Sequence, residues 1–340
     1  MFSNWKKSIA AVLLMLCLAF TACGAPAAVR DDVTEPTGSA PGTGAQTGTE
    51  TSGEAATPID VYVLAGQSNM AGTSRLNLLP EQYRRTYPRV KMYFEVGSGY
   101  EPDMREWTVV QPGQGAFINN TQYFGPELGM AEVLQNSDSE IAFVKYAYGG
   151  TAIYQHPGIN NTATNKDNWH GSWDGATPGR LYNGLISTVQ TALTELEEQG
   201  YAPVIRGMAW MQGETDGEIQ FNSGEHAAAD VYEHNLTEFF KAVRTELNVP
   251  DMPIVFGEIY EYSTAVIQAR KIVLAQKRVA ETLPGTYLIN TGDLVIDGSI
   301  DDWHWNGISE WLLGVRFGEK LYEVTHPALD NSYNDGEAAA

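Results

Sequence analysis

Six short apolar runs punctuate the chain, at 59–65, 90–96, 140–146, 204–211, 253–259 and 287–290. The first reads IDVYVLA, with hardly a polar position. A strand covered on both faces is near-continuously apolar, whereas a half-exposed strand alternates. Between most of these runs apolar residues recur at helical spacing, at 126–134, 180–198, 227–247, 264–282 and finally 306–324. Strands alternating with helices predict βαβ units, and hence a parallel sheet with helices on both faces.

Two segments break that rhythm. Residues 97–121 and 151–179 are long, rich in Gly, Asn, Trp and Tyr, and show no clear period. Long irregular loops in a compact domain are commonly functional. In a doubly wound sheet the loops after the carboxyl ends of the strands form the ligand crevice, and the second segment follows a predicted strand directly.

The first 58 residues carry no such pattern. Lys6 and Lys7 precede SIAAVLLMLCLAF, an apolar stretch of export-signal length and too short for a comfortable membrane span. Phe20-Thr21-Ala22-Cys23 resembles the lipobox of bacterial lipoproteins, with Phe20 in place of the usual leucine. The expectation is a lipoprotein-type signal over 1–22 and a lipidated Cys23, the alternative being a plain cleaved signal. Residues 23–58 then form a Thr/Gly/Pro-rich linker with too little apolar surface to offset the entropy of ordering it. Such a tether of about 34 residues has a root-mean-square span of roughly 30 Å. One domain is expected over 59–326, followed by an acidic tail over 327–340.

Cys17 and Cys23 are the only cysteines, so no disulfide is available to the domain. The net charge is -21, and loss of residues 1–22 would remove Lys6 and Lys7 and no acid, leaving -23. That charge repels phosphate backbones and anionic surfaces. Nucleic acid is excluded as a partner, and the membrane enters only through a lipid on Cys23.

Candidate chemistry starts in VYVLAGQSNMAG, where the first predicted strand stops at Gly66 and presents Ser68 in a glycine-flanked turn. A serine hydroxyl needs a base to take its proton, and the base needs a third group to hold its tautomer. His304 sits in IDDWHWN, with Asp301 three residues before it, a spacing at which a carboxylate can fold back onto Nδ1 and leave Nε2 for a hydroxyl. Asp302, one position closer, would point elsewhere. Of the other histidines, His226 and His234 fall in a predicted helix and His326 in the tail. His156 and His170 sit in the second long loop, where substrate contact and simple surface exposure are equally open.

An acyl-transfer site also needs donors for an oxyanion. Tyr148-Gly149-Gly150-Thr151 ends the strand at 140, and WMQGETD at 210–216 ends the strand at 204 with the amide Gln212 beside a glycine. Taken alone, Ser68 could equally be a helix cap and Gly149-Gly150 an ordinary turn.

GQSNMAG at 66–72, GGT at 149–151, WMQGETD at 210–216 and the pair Asp301 and His304 together resemble the blocks of the SGNH hydrolase superfamily. They are most similar to its sialic-acid-specific acetylesterase-like group, which includes carbohydrate esterase family six, the acetylxylan esterases. Phe124-Gly125-Pro126-Glu127-Leu128-Gly129 is similar to a segment of the same group. The resemblance implies a flavodoxin-like, three-layer αβα sandwich around a five-stranded parallel sheet. It implies a Ser68, His304 and Asp301 triad with no metal and no cofactor. The oxyanion hole would be made by Ser68 N–H, Gln212 and a glycine N–H, of which Gly150 is favoured over Gly149. Gln67, Asn69, Glu214, Trp173 and Trp303 are supporting or substrate-binding candidates. Glu214 could orient Gln212 or a neighbour of Ser68, or touch the sugar.

The expected activity is removal of O-acetyl groups from extracellular glycans, acetylated xylan or xylo-oligosaccharides first and O-acetylated sialic acid as the alternative. Tyr148, Tyr154, Trp169, Trp173 and Trp303 lie in or beside the predicted site loops and could stack on sugar faces or simply pack. A tethered lipoprotein that captures sugars without chemistry is the rival class, and it has no need of Ser68, Asp301, His304 and Gln212 together.

Overall fold

The structure is a computed structural model that describes residues 55–97, 105–116, 122–155, 168–171, 173–175, 177–218 and 227–326. The expected signal over 1–22, Cys23, the expected linker up to residue 54, His156, His226 and the expected tail from 327 lie outside the described residues.

All six apolar runs form strands. They are β1 (Thr57–Gly66), β3 (Tyr87–Gly97), β6 (Glu140–Tyr148), β7 (Tyr201–Met211), β8 (Ile254–Gly257) and β9 (Thr286–Ile289). With β4 (Thr108–Val110) they make one seven-stranded sheet in the order β4-β3-β6-β1-β7-β8-β9. The five strands implied by the resemblance are therefore exceeded. Each apolar run contributes a parallel strand, and part of the irregular segment 97–121 adds β4 antiparallel to β3 at the edge. A second, two-stranded sheet pairs β2 (Ser74–Arg75) with β5 (Tyr123–Phe124).

β1 is buried on both faces from Ile59 to its end, as its unbroken apolar sequence requires. It lies between β6 and β7, and the register sets Gly66 level with Ala147 on one side and Met211 on the other. Three loops therefore leave the sheet at one height, each within a residue or two of a candidate: Ser68, Gly149 and Gln212. The chain first builds the β3 side of β1 and then the β7 side, which makes the carboxyl end of β1 the switch point where such sheets bind ligands.

Adjacent residues of β6 identify the two helix layers, because neighbouring side chains on a strand point to opposite faces. Lys145 meets Glu127 at the start of α2 (Glu127–Leu134), which packs on α7 (Gly307–Thr325). Tyr146 faces the other way, against Gly184 of α3 (Arg180–Glu198) and the Trp169 ring. Trp169 in turn meets Phe239 of α5 (Ala227–Glu246), and α6 (Ala269–Thr282) packs on α5. The layers are αβα. The helix expected from 264 begins at Ala269 instead, because Ser263 and Thr264 are drawn onto the Asp302 carboxylate.

Candidate active site

At the end of β1, Gly66 has φ +146°, and a Cβ there would collide with the Met211 carbonyl oxygen. Only glycine turns the chain this tightly against β7. Gln67 fastens the turn: its N–H donates to Met211 O at 2.9 Å, and its Oε1 accepts from Gly213 N at 3.2 Å and Thr215 N at 3.4 Å. Ser68 then opens the one-turn helix α1 (Ser68–Ala71).

Ser68 Oγ lies 2.7 Å from His304 Nε2, and His304 Nδ1 lies 2.6 Å from Asp301 Oδ2. The other carboxylate oxygen, Oδ1, accepts from His304 N at 2.9 Å and Trp303 N at 3.1 Å, so the three-residue spacing does fold back on itself. Burial pushes the Asp301 carboxyl up, but its hydrogen bond to His304 and the backbone N–H groups outweigh this and hold it below the usual carboxylate range. It remains ionised and fixes Nδ1 as the protonated nitrogen. Asp302 points away and accepts from Ser263 Oγ, Thr264 N and Thr264 Oγ1.

The His304 loop is gripped on both sides by the serine segment. Asn69 Nδ2 donates to Trp303 O at 3.1 Å, and Ser74 Oγ donates to Trp305 O at 2.6 Å. Asn69 Nδ2 also donates to Glu214 Oε1 at 2.7 Å. Glu214 thus reaches the neighbour of Ser68, one of the roles open to it from the sequence. Burial raises its carboxyl, partly offset by that hydrogen bond.

Gly150 adopts φ +68° and is exposed, with none of the described residues within 4 Å of where a Cβ would stand; Gly149 beside it is half-buried. The loop they begin is held by Asp216, in the short helix α4 (Glu214–Glu218). Its carboxylate is fully buried and accepts from Ile153 N and Tyr154 N, both at 3.0 Å, and from Gln212 Nε2 at 2.6 Å. Burial pushes Asp216 up to about 6, against the pull of those hydrogen bonds. The WMQGETD motif contains Asp216, but only the folded loop reveals what it binds.

Gln212 is placed differently from the expectation. Its Nε2 donates to Thr151 O at 3.0 Å and to Asp216, and its Oε1 accepts from Tyr232 OH at 3.1 Å. An amide nitrogen has two hydrogens, and both are engaged within the fold, so the side chain braces the Gly150 loop and does not present a free donor.

The aromatic candidates separate by burial. Trp169 is fully buried, donates Nε1 to Thr151 Oγ1 at 2.8 Å and packs edge-on against Tyr146 and Trp210, so it is core and not a sugar platform. Tyr148 is also buried, with its hydroxyl on Glu95. Tyr154, Trp173 and Trp303 are half-buried. His170 is buried against the Trp173 ring, 4.0 Å between centroids, rather than on the surface, and burial lowers its pKa. His234 is exposed.

Fold and site together define an esterase of the SGNH type. The chain belongs to the family described as carbohydrate esterase, sialic acid-specific acetylesterase, whose model matches residues 58–323. It is a carbohydrate acetylesterase. Among solved structures it is similar to a protein of Arabidopsis thaliana (TM-score 0.57, 18% identity, covering 79% of this chain and 99% of the other). It is likewise similar to NanS (TM-score 0.55, 18% identity, covering 80% and 98%). A carbohydrate acetylesterase of Xanthomonas citri matches with TM-score 0.52 and 19% identity over 78% of this chain and 56% of that longer one. At these identities the structures establish the shared fold. No curated protein matches at a significant level.

Proposed function

We propose that the chain removes O-acetyl groups from an extracellular glycan through an acetyl-enzyme on Ser68. The observation that carries this reading is the continuous hydrogen-bonded line from Asp301 through His304 to Ser68, at 2.6 and 2.7 Å. His304 Nε2 takes the Ser68 proton as Oγ bonds to the acetyl carbon, and the carbonyl π electrons move to oxygen. That oxyanion is met by the backbone N–H groups of Ser68 and Gly150. Gln212 contributes by holding Thr151, the residue after Gly150. The C–O bond to the sugar then breaks, and His304 returns its proton to the sugar alkoxide. Water, deprotonated by His304, attacks the acetyl carbon and releases acetate and free Ser68.

Acetylated xylan or xylo-oligosaccharide is the favoured substrate, since a chain of net charge -21 receives a neutral sugar more readily than an anionic one. The family description favours a second reading, O-acetylated sialic acid. The signal-like residues 1–22 and Cys23 support an exported, lipid-tethered protein.

The test is acetate release from acetylated xylo-oligosaccharides and from O-acetylated sialic acid, with the full-length chain beside Ser68→Ala. Acetate from one substrate, absent in the variant, identifies both the nucleophile and the glycan. Acetate that persists in Ser68→Ala overturns the mechanism. A chain that binds the sugars and releases nothing is a capture protein.

A further inference from the structure

β6 reads EIAFVKYAY, and its single cation sits where the strand is covered on both faces. Lys145 is 0% exposed. Its Nζ donates to Glu127 Oε2 at 2.7 Å and to the Ala71 carbonyl at 3.0 Å, while Glu127 Oε1 accepts from Gly125 N at 2.9 Å. Glu127 is as deeply buried as the lysine. A buried ion pair is weak as a source of stability, because desolvating two charges offsets their attraction and an apolar pair of the same volume often does as well. The sense of a lysine here lies in what it touches.

Ala71 is the last residue of α1, and the final carbonyls of a helix have no partner within it. The single turn is closed by Ala71 N to Gln67 O at 2.7 Å and Gly72 N to Ser68 O at 2.8 Å, which ties its two ends together. Its leading residue is Ser68. The Gln67 contacts hold this turn at the front and Asn69 holds it in the middle; Lys145 holds it at the rear, from the floor of the sheet. A second acid, Glu310 of α7, is fully buried beside this pair, and neither of its oxygens has a hydrogen-bond partner among the described residues. Burial drives its carboxyl well above the ordinary range, with Glu127 adding to the effect and Lys145 opposing it. That direction favours the uncharged carboxyl at Glu310, and Glu127 is the acid that Lys145 Nζ contacts.

The geometry points to Lys145, balanced by Glu127, as a positioning residue that sets the height of Ser68 against His304. This rests on the proposed role of Ser68 as nucleophile. It acts through the backbone and touches no substrate.

The test compares the full-length parent with Lys145→Met/Glu127→Gln, which removes both charges together, and with Glu127→Gln, which leaves Lys145 on Ala71. Each is assayed for the rate of Ser68 labelling by a fluorophosphonate, for kcat and KM of acetate release, and for thermal unfolding. The double variant is expected to unfold within roughly 5 °C of the parent and yet to label and turn over roughly 10- to 100-fold more slowly at nearly unchanged KM. Glu127→Gln leaves the Lys145 charge buried without its acid and is expected to be the less stable of the two, yet to label faster than the double variant, because Nζ still reaches the Ala71 carbonyl. A double variant with parent-like labelling and kcat overturns the proposal, and so does a Glu127→Gln that loses as much as the double. Should the double variant not fold, Lys145→Arg keeps the charge but not the Nζ position, and a parent-like labelling rate there overturns it equally. A parent that reacts with the probe but releases no acetate removes the substrate reading alone; a parent that does neither removes both.

Discussion

Asn69 Nδ2 lies 3.1 Å from the Trp303 carbonyl, so the residue after Ser68 holds the residue before His304. Ser68 and His304 come from opposite ends of the domain, 236 positions apart. The Asn69 contact makes their separation a property of one local brace, and the same amide nitrogen also reaches Glu214.

Asn69→Ala is expected to lower kcat roughly 10- to 100-fold with little change in KM, because a displacement of His304 from Ser68 is felt in the chemical step. It also leaves the buried Glu214 carboxyl without its amide partner, at a cost of about 1–3 kcal/mol. Steady-state kinetics and denaturant unfolding of one preparation read both effects. An unchanged kcat removes the brace.

Asp301 and Asp302 are adjacent acids with separate tasks. Asp301→Asn is expected to lower kcat on the order of 10⁴-fold, since the amide favours the wrong imidazole tautomer. Asp302→Ala is expected to cost about 1 kcal/mol of stability through the lost hydrogen bonds to Ser263 and Thr264. Equal kinetic loss from the two variants would contradict the geometry.

Gln212→Ala is expected to lower kcat about 10²-fold through displacement of the Gly150 loop and also to lower thermal stability, because Asp216, Thr151 and Tyr232 each lose a buried partner. A residue whose only task is to donate to the oxyanion would lower kcat and leave the melting temperature in place. Calorimetry beside kinetics separates the two.

Asp216 gives a pH signature. Burial raises its folded pKa to about 6 from the ordinary 3.8. Between pH 4 and pH 6 the folded state therefore holds the proton more tightly than the unfolded chain, and this group's contribution to stability falls as pH rises through that window. The shift corresponds to something on the order of 3 kcal/mol. Glu214 and Glu310 are raised too and act in the same direction, so the informative quantity is the stability difference between parent and Asp216→Asn. That difference is expected to shrink from pH 4 to pH 7 in urea unfolding. A constant difference would show that Asp216 does not titrate in this range.

The six strands, the alternation with helices and the pairing of Asp301 with His304 were legible along the chain because each rests on local pattern. An apolar run is long enough to be a buried strand, and three residues are close enough for a carboxylate to turn back on its own histidine. Ser68 stood out for a similar reason, with a glycine closing the strand before it. The meaning of Gly66 was not legible, since the carbonyl that excludes a side chain there belongs to Met211 on another strand.

Sequence by itself determined the elements and singled out Ser68, His304 and Asp301, because those readings depend on residue type and short spacing. Tertiary structure decided which groups are occupied. It gave the amide hydrogens of Gln212 to Thr151 and Asp216 and made Trp169 core. It gave Asp216 the 151–154 loop, and it placed Lys145 beneath Ala71. In each case the deciding partner lies on another strand, loop or helix, and a buried polar group is defined by the partner that satisfies it. Only the packing of the sheet and its two helix layers brings those partners within reach.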